Sequence, residues 1–161
     1  MKNGLSIIAV VPARGGDHEV PYLNIKNLGQ LPLIAHTLAE AQKSLYIDRI
    51  VVSTDDDQVA QVAKDYGGEV PFRRPKELSG DLSEIKRVIS HAVSTVEENE
   101  GTRFDVVVTL QATSPFRTAR QIDEAIDKLV TEHLDAVISL KELRSLTWRM
   151  PASSERDLFS K

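Results

Sequence analysis

Continuous apolar runs alternate with amphipathic stretches along the whole chain, and that alternation predicts the elements. Leu5 to Val11 is unbroken and β-branched, bounded by Gly4 and Pro12, and predicts a fully buried strand. Pro32 to Leu45 predicts a helix, with Ile34, Leu38, Ala41 and Leu45 on one face and Pro32 tolerated at the start. Arg49 to Ser53 predicts a second short buried strand. It empties into Thr54, Asp55, Asp56 and Asp57, one of which can cap a helix with Val59, Val62, Ala63 and Tyr66 on its apolar face. Gly67 and Gly68 stop that helix.

Glu69 to Phe72 predicts a third short strand, before a proline-broken stretch through Arg73, Arg74 and Pro75. Asp81 or Ser83 can cap the next helix, which carries Ile85, Val88, Ile89, Ala92, Val93 and Val96 on one side and ends in the polar run Glu97 to Gly101. Phe104 to Leu110 predicts a strand. Thr118 then opens a helix bearing Ile122, Ala125, Ile126, Leu129 and Val130, and Asp135 to Leu140 predicts a last strand. Strands separated by amphipathic helices make right-handed βαβ units. The expected fold is therefore α/β: three layers, a mostly parallel sheet covered by helices on both faces. Residues 1–142 are expected to form one domain. Residues 143–161, poor in periodicity, are expected to form an irregular tail.

Composition narrows the function classes mainly by exclusion. The net charge of −4 gives no bulk attraction to nucleic acid or to an anionic membrane. Aromatic residues make up only 5%, too few for base-stacking platforms. Cysteine is absent, which removes disulfides, thiolate catalysis and cysteine-ligated metals. The first apolar run is too short for a signal peptide or a membrane span, so a cytoplasmic protein is expected. His36, His91 and His133 lack metal-ligand spacing and are expected to pack or to be solvated.

Two loops carry the candidate chemistry. Open α/β sheets bind ligands at the carboxyl ends of their strands. After the first strand come Ala13, Arg14, Gly15 and Gly16, leading on to Pro21 and Asn24. Arg14 brings a fixed charge with bidentate donors, and the glycines let a backbone pass close to a ligand. The stretch reads as a phosphate-facing loop or as a surface turn. Neither G-x-G-x-x-G nor G-x-x-x-x-G-K-[ST] occurs. The second loop follows the strand at Phe104 to Leu110. It offers Gln111, Thr113, Ser114 and Arg117, amide, hydroxyls and guanidinium, as a second site wall. The same residues also read as a strand-to-helix turn with Pro115 at the corner and Thr118 as N-cap.

The blocks Ile8 to Gly16, Pro32 to Ala35, Arg49 to Asp56, Arg74-Pro75 with Glu77-Leu78, and Leu110 to Thr118 occur in one order. Together they resemble the acylneuraminate cytidylyltransferases, the CMP-sialic acid synthetase family, whose relatives activate legionaminic, pseudaminic and ketodeoxyoctonic acids. The resemblance implies a Rossmann-like nucleotidyltransferase fold. It implies transfer of CMP from CTP to an acidic sugar with release of pyrophosphate, the anomeric hydroxyl attacking the α-phosphorus. It implies CTP and the acidic sugar as partners, with Mg²⁺ as cofactor. In-line transfer of this kind relies on positioning and on neutralised phosphate charge.

By resemblance, Arg14 and Gln111 are the catalytic candidates. Ala13, Arg14, Gly15, Gly16, Asn24, Arg74 and Ser83 fall on the nucleotide side, and Gln111, Thr113, Ser114 and Arg117 on the sugar side. The family loop departs here in its charges. It reads Arg-Gly-Gly-Ser-Lys-Gly-Val/Ile-Pro, one residue, then Lys-Asn; this chain has His18 and Leu23 where the lysines stand, and adds Asp17 and Glu19. The stretch from Arg14 to Asn24 sums to +1 from Arg14 and −2 from Asp17 and Glu19, net −1 with His18 neutral. The family's dimer-forming insertion and its magnesium-holding Asp-x-Asp pair are expected beyond Lys161, so no metal ligand is assigned within the chain and a homodimer stays open. Asp55-Asp56-Asp57 reads as a helix cap. The alternative expectation is a truncated or degenerate relative that binds a ligand or partner without transfer. A domain for another phosphate-bearing ligand is the third.

Overall fold

The computed structural model describes residues 2, 4–16, 20–80 and 84–140. Three parallel strands form its sheet: β1 (Ile7–Pro12), β4 (Arg49–Ser53) and β5 (Val106–Thr109), in the spatial order β4-β1-β5. β1 is central, with Val10 opposite Val51 on one side and Ala9 opposite Val108 on the other. Because both neighbours are parallel, every connection is a crossover. A small antiparallel ribbon of β2 (Asn27–Leu28) and β3 (Leu31–Pro32) lies between β1 and the first helix. Gly29, at φ 66°, supplies the left-handed residue its turn needs.

The period-2 alternation of a buried strand sorts β1 onto two cores. Ile7, Ala9 and Val11 face α1 (Leu33–Gln42), α2 (Asp57–Asp65) and α4 (Ala119–Thr131), meeting Ile34, Leu38, Val59, Ala63, Ile122 and Ile126. Ile8 and Val10 face α3 (Ile85–Glu100), meeting Ala92 and Val96. This is the expected α/β arrangement, three layers with helices on both faces of a parallel sheet. Ile7 to Val11 of the first strand are fully buried, as the composition predicts.

Helix ends follow local chemistry. Asp56 caps α2, its carboxylate accepting from the amides of Gln58 (2.8 Å) and Val59 (3.0 Å). Thr118 caps α4 in a reciprocal box with Gln121. Gly101, at φ 64°, ends α3. α1 stops at Gln42 rather than Leu45: Ser44 and the Leu45 amide turn aside to the Asp123 carboxylate on α4, which leaves the Leu45 side chain 76% exposed. Tyr66 likewise falls just past α2 and is exposed, and Ile85 is exposed at the start of α3.

Two predicted strands are corrected. Glu69 to Phe72 makes one parallel bridge, Glu69 to Val51, and no more. Pro71 has no amide to continue the ladder. Asp135 to Leu140 forms no strand, with Ile138 and Leu140 largely exposed. An apolar run becomes a strand only by finding a ladder partner, and no described strand lies beyond β5 on that side. The proposed caps Asp81 and Ser83, the loop residues Asp17, His18 and Glu19, and the tail 143–161 lie outside the described residues. Among the described residues, no helix is long and apolar enough to cross a membrane.

Candidate functional site

The strand order creates one crevice. From β1 the chain crosses to β4 on one side, by way of α1, and later returns to place β5 on the other, by way of α3 on the opposite face. Helices diverging to opposite faces leave a gap outside the carboxyl ends of β1 and β5, the switch point where such sheets take ligands. A cleft of about 470 Å³ lies there. Pro12, Arg14, Leu23 and Asn24 come to it from the end of β1, Arg74 from the segment after β4, and Gln111, Ala112 and Thr113 from the end of β5. Leu78, Gly80, Ile85 and Val88 line the remaining wall.

Arg74 is buried. Its Nε donates to Ser53 Oγ (3.0 Å) and its Nη2 to the Ser53 carbonyl, while its own amide donates to the Thr54 carbonyl (2.8 Å). The guanidinium is thus fixed to the end of β4. Burial, and then the neighbouring Arg14 charge, push its pKa below the ordinary value, and the Asp55 charge opposes them. A buried cation beside a second cation is an arrangement that gains from an arriving anion.

The loop after β1 is laid along β4. The Ala13 amide donates to the Ser53 carbonyl (2.9 Å), and the Ala13 side chain is buried in the core. The Gly15 amide donates to Asp55 Oδ1 (3.2 Å), and the Gly15 carbonyl accepts from the Tyr22 amide (3.2 Å). Asn24 Nδ2 donates to the Arg14 carbonyl (2.9 Å), closing the loop at its base. A Cβ placed on Gly15 would sit 2.3 Å from the Asp56 Cβ, so this glycine serves close packing against the α2 cap. Gly16 is exposed, with open space where a Cβ would stand.

The sugar-side candidates divide. Gln111 and Thr113 line the cleft. Ser114 and Arg117 line a wide apolar groove of about 1450 Å³ between α3, β5 and α4, and Gln111 stands at the border of the two. Arg117 Nη1 is buried with no hydrogen-bond partner, and burial pushes the pKa of that guanidinium down. Ser83 lies outside the described residues. Ser53 and Asp55 also support the site, though the sequence marks them only as a strand end and as part of a helix cap, and Leu23, which stands where the family loop has a lysine, lines the cleft.

Three of the four histidines sit apart from the cleft: His36 Nε2 bonds the Leu28 carbonyl (2.9 Å), His91 packs edge-on against Phe72 (5.2 Å), and His133 is exposed, while His18 lies outside the described residues. No group of three metal-ligating side chains occurs among the described residues. The carboxylates nearest the loop, Asp55 and Asp56, hold the Gly15 amide and the α2 cap.

A family model described as "Cytidylyltransferase" matches residues 8–148. The CMP-N,N'-diacetyllegionaminic acid synthase of Legionella pneumophila is 39% identical over 123 residues, covering 76% of this chain and 53% of that protein. The pseudaminic acid cytidylyltransferase of Campylobacter jejuni is 33% identical over 130 residues, covering 81% and 54%. The chain thus spans about half the length of these curated relatives. A CMP:2-keto-3-deoxy-manno-octonic acid synthetase solved with CTP has the same fold, with a TM-score of 0.65 at 21% identity, over 80% of this chain and 48% of that one.

Proposed function

The chain belongs to the cytidylyltransferase family, and on that premise we propose that it serves the transfer of CMP from CTP to an acidic, sialic-acid-like nonulosonic sugar. One observation carries the reading: Arg14, Asn24, Arg74, Gln111 and Thr113, from separate parts of the sequence, line one cleft at the β1/β5 switch point. The relatives named as synthases of CMP-legionaminic acid and as a pseudaminic acid cytidylyltransferase support the substrate class, and nothing among them favours the non-catalytic alternative.

In this reading the sugar's anomeric hydroxyl attacks the α-phosphorus, the bond to the bridging oxygen breaks, and pyrophosphate leaves with that oxygen. The protein's task is to hold the reactants in line and to offset charge on the phosphates. Arg14 and Arg74 supply the positive charge. Arg74 does so from a fixed position, since Ser53 leaves it no rotamer freedom to lose on binding. Asn24 holds the Arg14 backbone rather than reaching outward with its amide nitrogen. Gln111, at the border of cleft and groove, is placed to orient the sugar. Ser114 and Arg117 extend that wall, and the unpartnered Arg117 Nη1 suits an anionic group. Magnesium, when bound, would neutralise phosphate charge, and its ligands are expected outside the described residues.

Calorimetric titration of the chain with CTP and Mg²⁺, with ATP as control, tests the reading. Selective micromolar binding of CTP supports it and leads to a pyrophosphate-release assay over a panel of nonulosonic acids. Absence of binding at millimolar CTP overturns it.

A further inference from the structure

We infer that Asp55 is a positioning residue for the Arg14 loop, holding that loop and its cation at the cleft from the end of β4. The inference rests on the triphosphate reading of the cleft. The side chains of Asp55 and Asp56 touch Gly15 from one side, one by a hydrogen bond to its amide (3.2 Å) and one by packing. On the other side of Arg14, the Ala13 amide is held by the Ser53 carbonyl (2.9 Å). Arg14 therefore sits between two residues, each tied to the β4 end, and its side chain leaves the backbone there toward the cleft. The tie at Ala13 is backbone to backbone and survives any substitution. The tie at Gly15 is made by one carboxylate oxygen, so its strength depends on residue 55.

The cap of α2 does not depend on Asp55, because Asp56 provides that cap. Removing Asp55 should change the loop and leave the helix.

The test compares Asp55→Ala and Asp55→Asn with the wild-type chain. Asparagine keeps an acceptor at Oδ1, whereas alanine keeps none. In Asp55→Ala the Gly15 amide should exchange with solvent at least about tenfold faster, since exchange reports local opening. Binding of CTP and of inorganic triphosphate should weaken roughly fivefold to tenfold, the loss expected for one hydrogen bond. Asp55→Asn should restore the exchange protection and the binding, with thermal melts of the two variants alike. Equal exchange and equal binding in Asp55→Ala and wild type would overturn the inference, as would an asparagine variant as impaired as the alanine one. If the wild-type chain binds no CTP, the nucleotide reading fails separately, and Gly15 exchange together with triphosphate binding still decides the role of Asp55.

Discussion

The cleft's character turns on single residues. Leu23 lines it from the short 3₁₀ turn Leu23–Ile25, at the position where the family loop has a lysine. A unit charge pair 4 Å apart is worth about 1 kcal/mol in water and about 4 kcal/mol at an effective dielectric of 20. Leu23→Lys should therefore tighten CTP binding by roughly tenfold, with the gain shrinking as salt is added. Calorimetry at low and high ionic strength reads both effects, and an unchanged affinity would place the triphosphate elsewhere. Gly15→Ala makes the opposite case. Its Cβ would meet the Asp56 Cβ at 2.3 Å, so either the loop or the α2 cap must shift. Overpacking of this kind costs about 1–3 kcal/mol. Both the melting temperature and CTP affinity should fall, while Gly16→Ala, in open space, should change neither by much. The sequence announced Gly15 and Gly16 as a pair. It could not say that one faces a neighbouring helix cap and the other solvent, because that depends on where β4 docks.

Elements were legible in proportion to how local their causes are. β4 runs from Arg49 to Ser53 as expected, and Thr118 caps α4 as expected, since both signals lie within a few residues. The C-terminal end of α1 was not, because Asp123, far along the chain, takes the Ser44 hydroxyl and the Leu45 amide. The same two helices are joined at Glu40, whose carboxylate accepts from Lys43 Nζ (2.6 Å) and from the Ala119 amide (2.8 Å). The Lys43 bond, and then the Ala119 amide, hold the Glu40 pKa below its ordinary 4.5. A carboxylate depressed in the folded state stabilises it above the unfolded pKa, and that contribution is lost as pH falls through the lower, folded value. Glu40→Gln should therefore be less stable than wild type at neutral pH and converge with it as pH falls through the lowered folded pKa, below the ordinary 4.5. Melting curves from pH 3 to pH 7 would show this. A constant gap across the range would mean that the charge at Glu40 contributes nothing and that only its shape matters.

At the scale of the whole molecule, the βαβ alternation was readable and the strand order was not. Nothing local tells whether β5 pairs beside β4 or crosses to the far side of β1, yet that choice makes the switch point. It also explains why Asp135 to Leu140 was misjudged, since strand formation there depends on a partner that no local pattern can supply. The cleft joins the ends of all three strands: Arg14 after β1, Arg74 pinned to β4, Gln111 after β5. A ligand that bridges them binds only the folded chain. At a hundred times its dissociation constant it adds about 2.7 kcal/mol of stability. For 161 residues that raises the melting temperature by roughly 5–10 °C. Arg74→Met separates ligand from scaffold. An apolar side chain of similar length relieves the buried charge beside Arg14 but leaves the buried Ser53 hydroxyl without its Arg74 partner, so the ligand-free melting temperature should shift by only a few degrees. The Ser53 carbonyl keeps the Ala13 amide as its partner, so the exchange orphans no backbone group there. The CTP-induced rise should then largely vanish, because the fixed cation is gone. A variant that melts lower without ligand yet keeps the full CTP shift would show Arg74 to be a strut of β4, and the triphosphate's charge to be met by Arg14 alone.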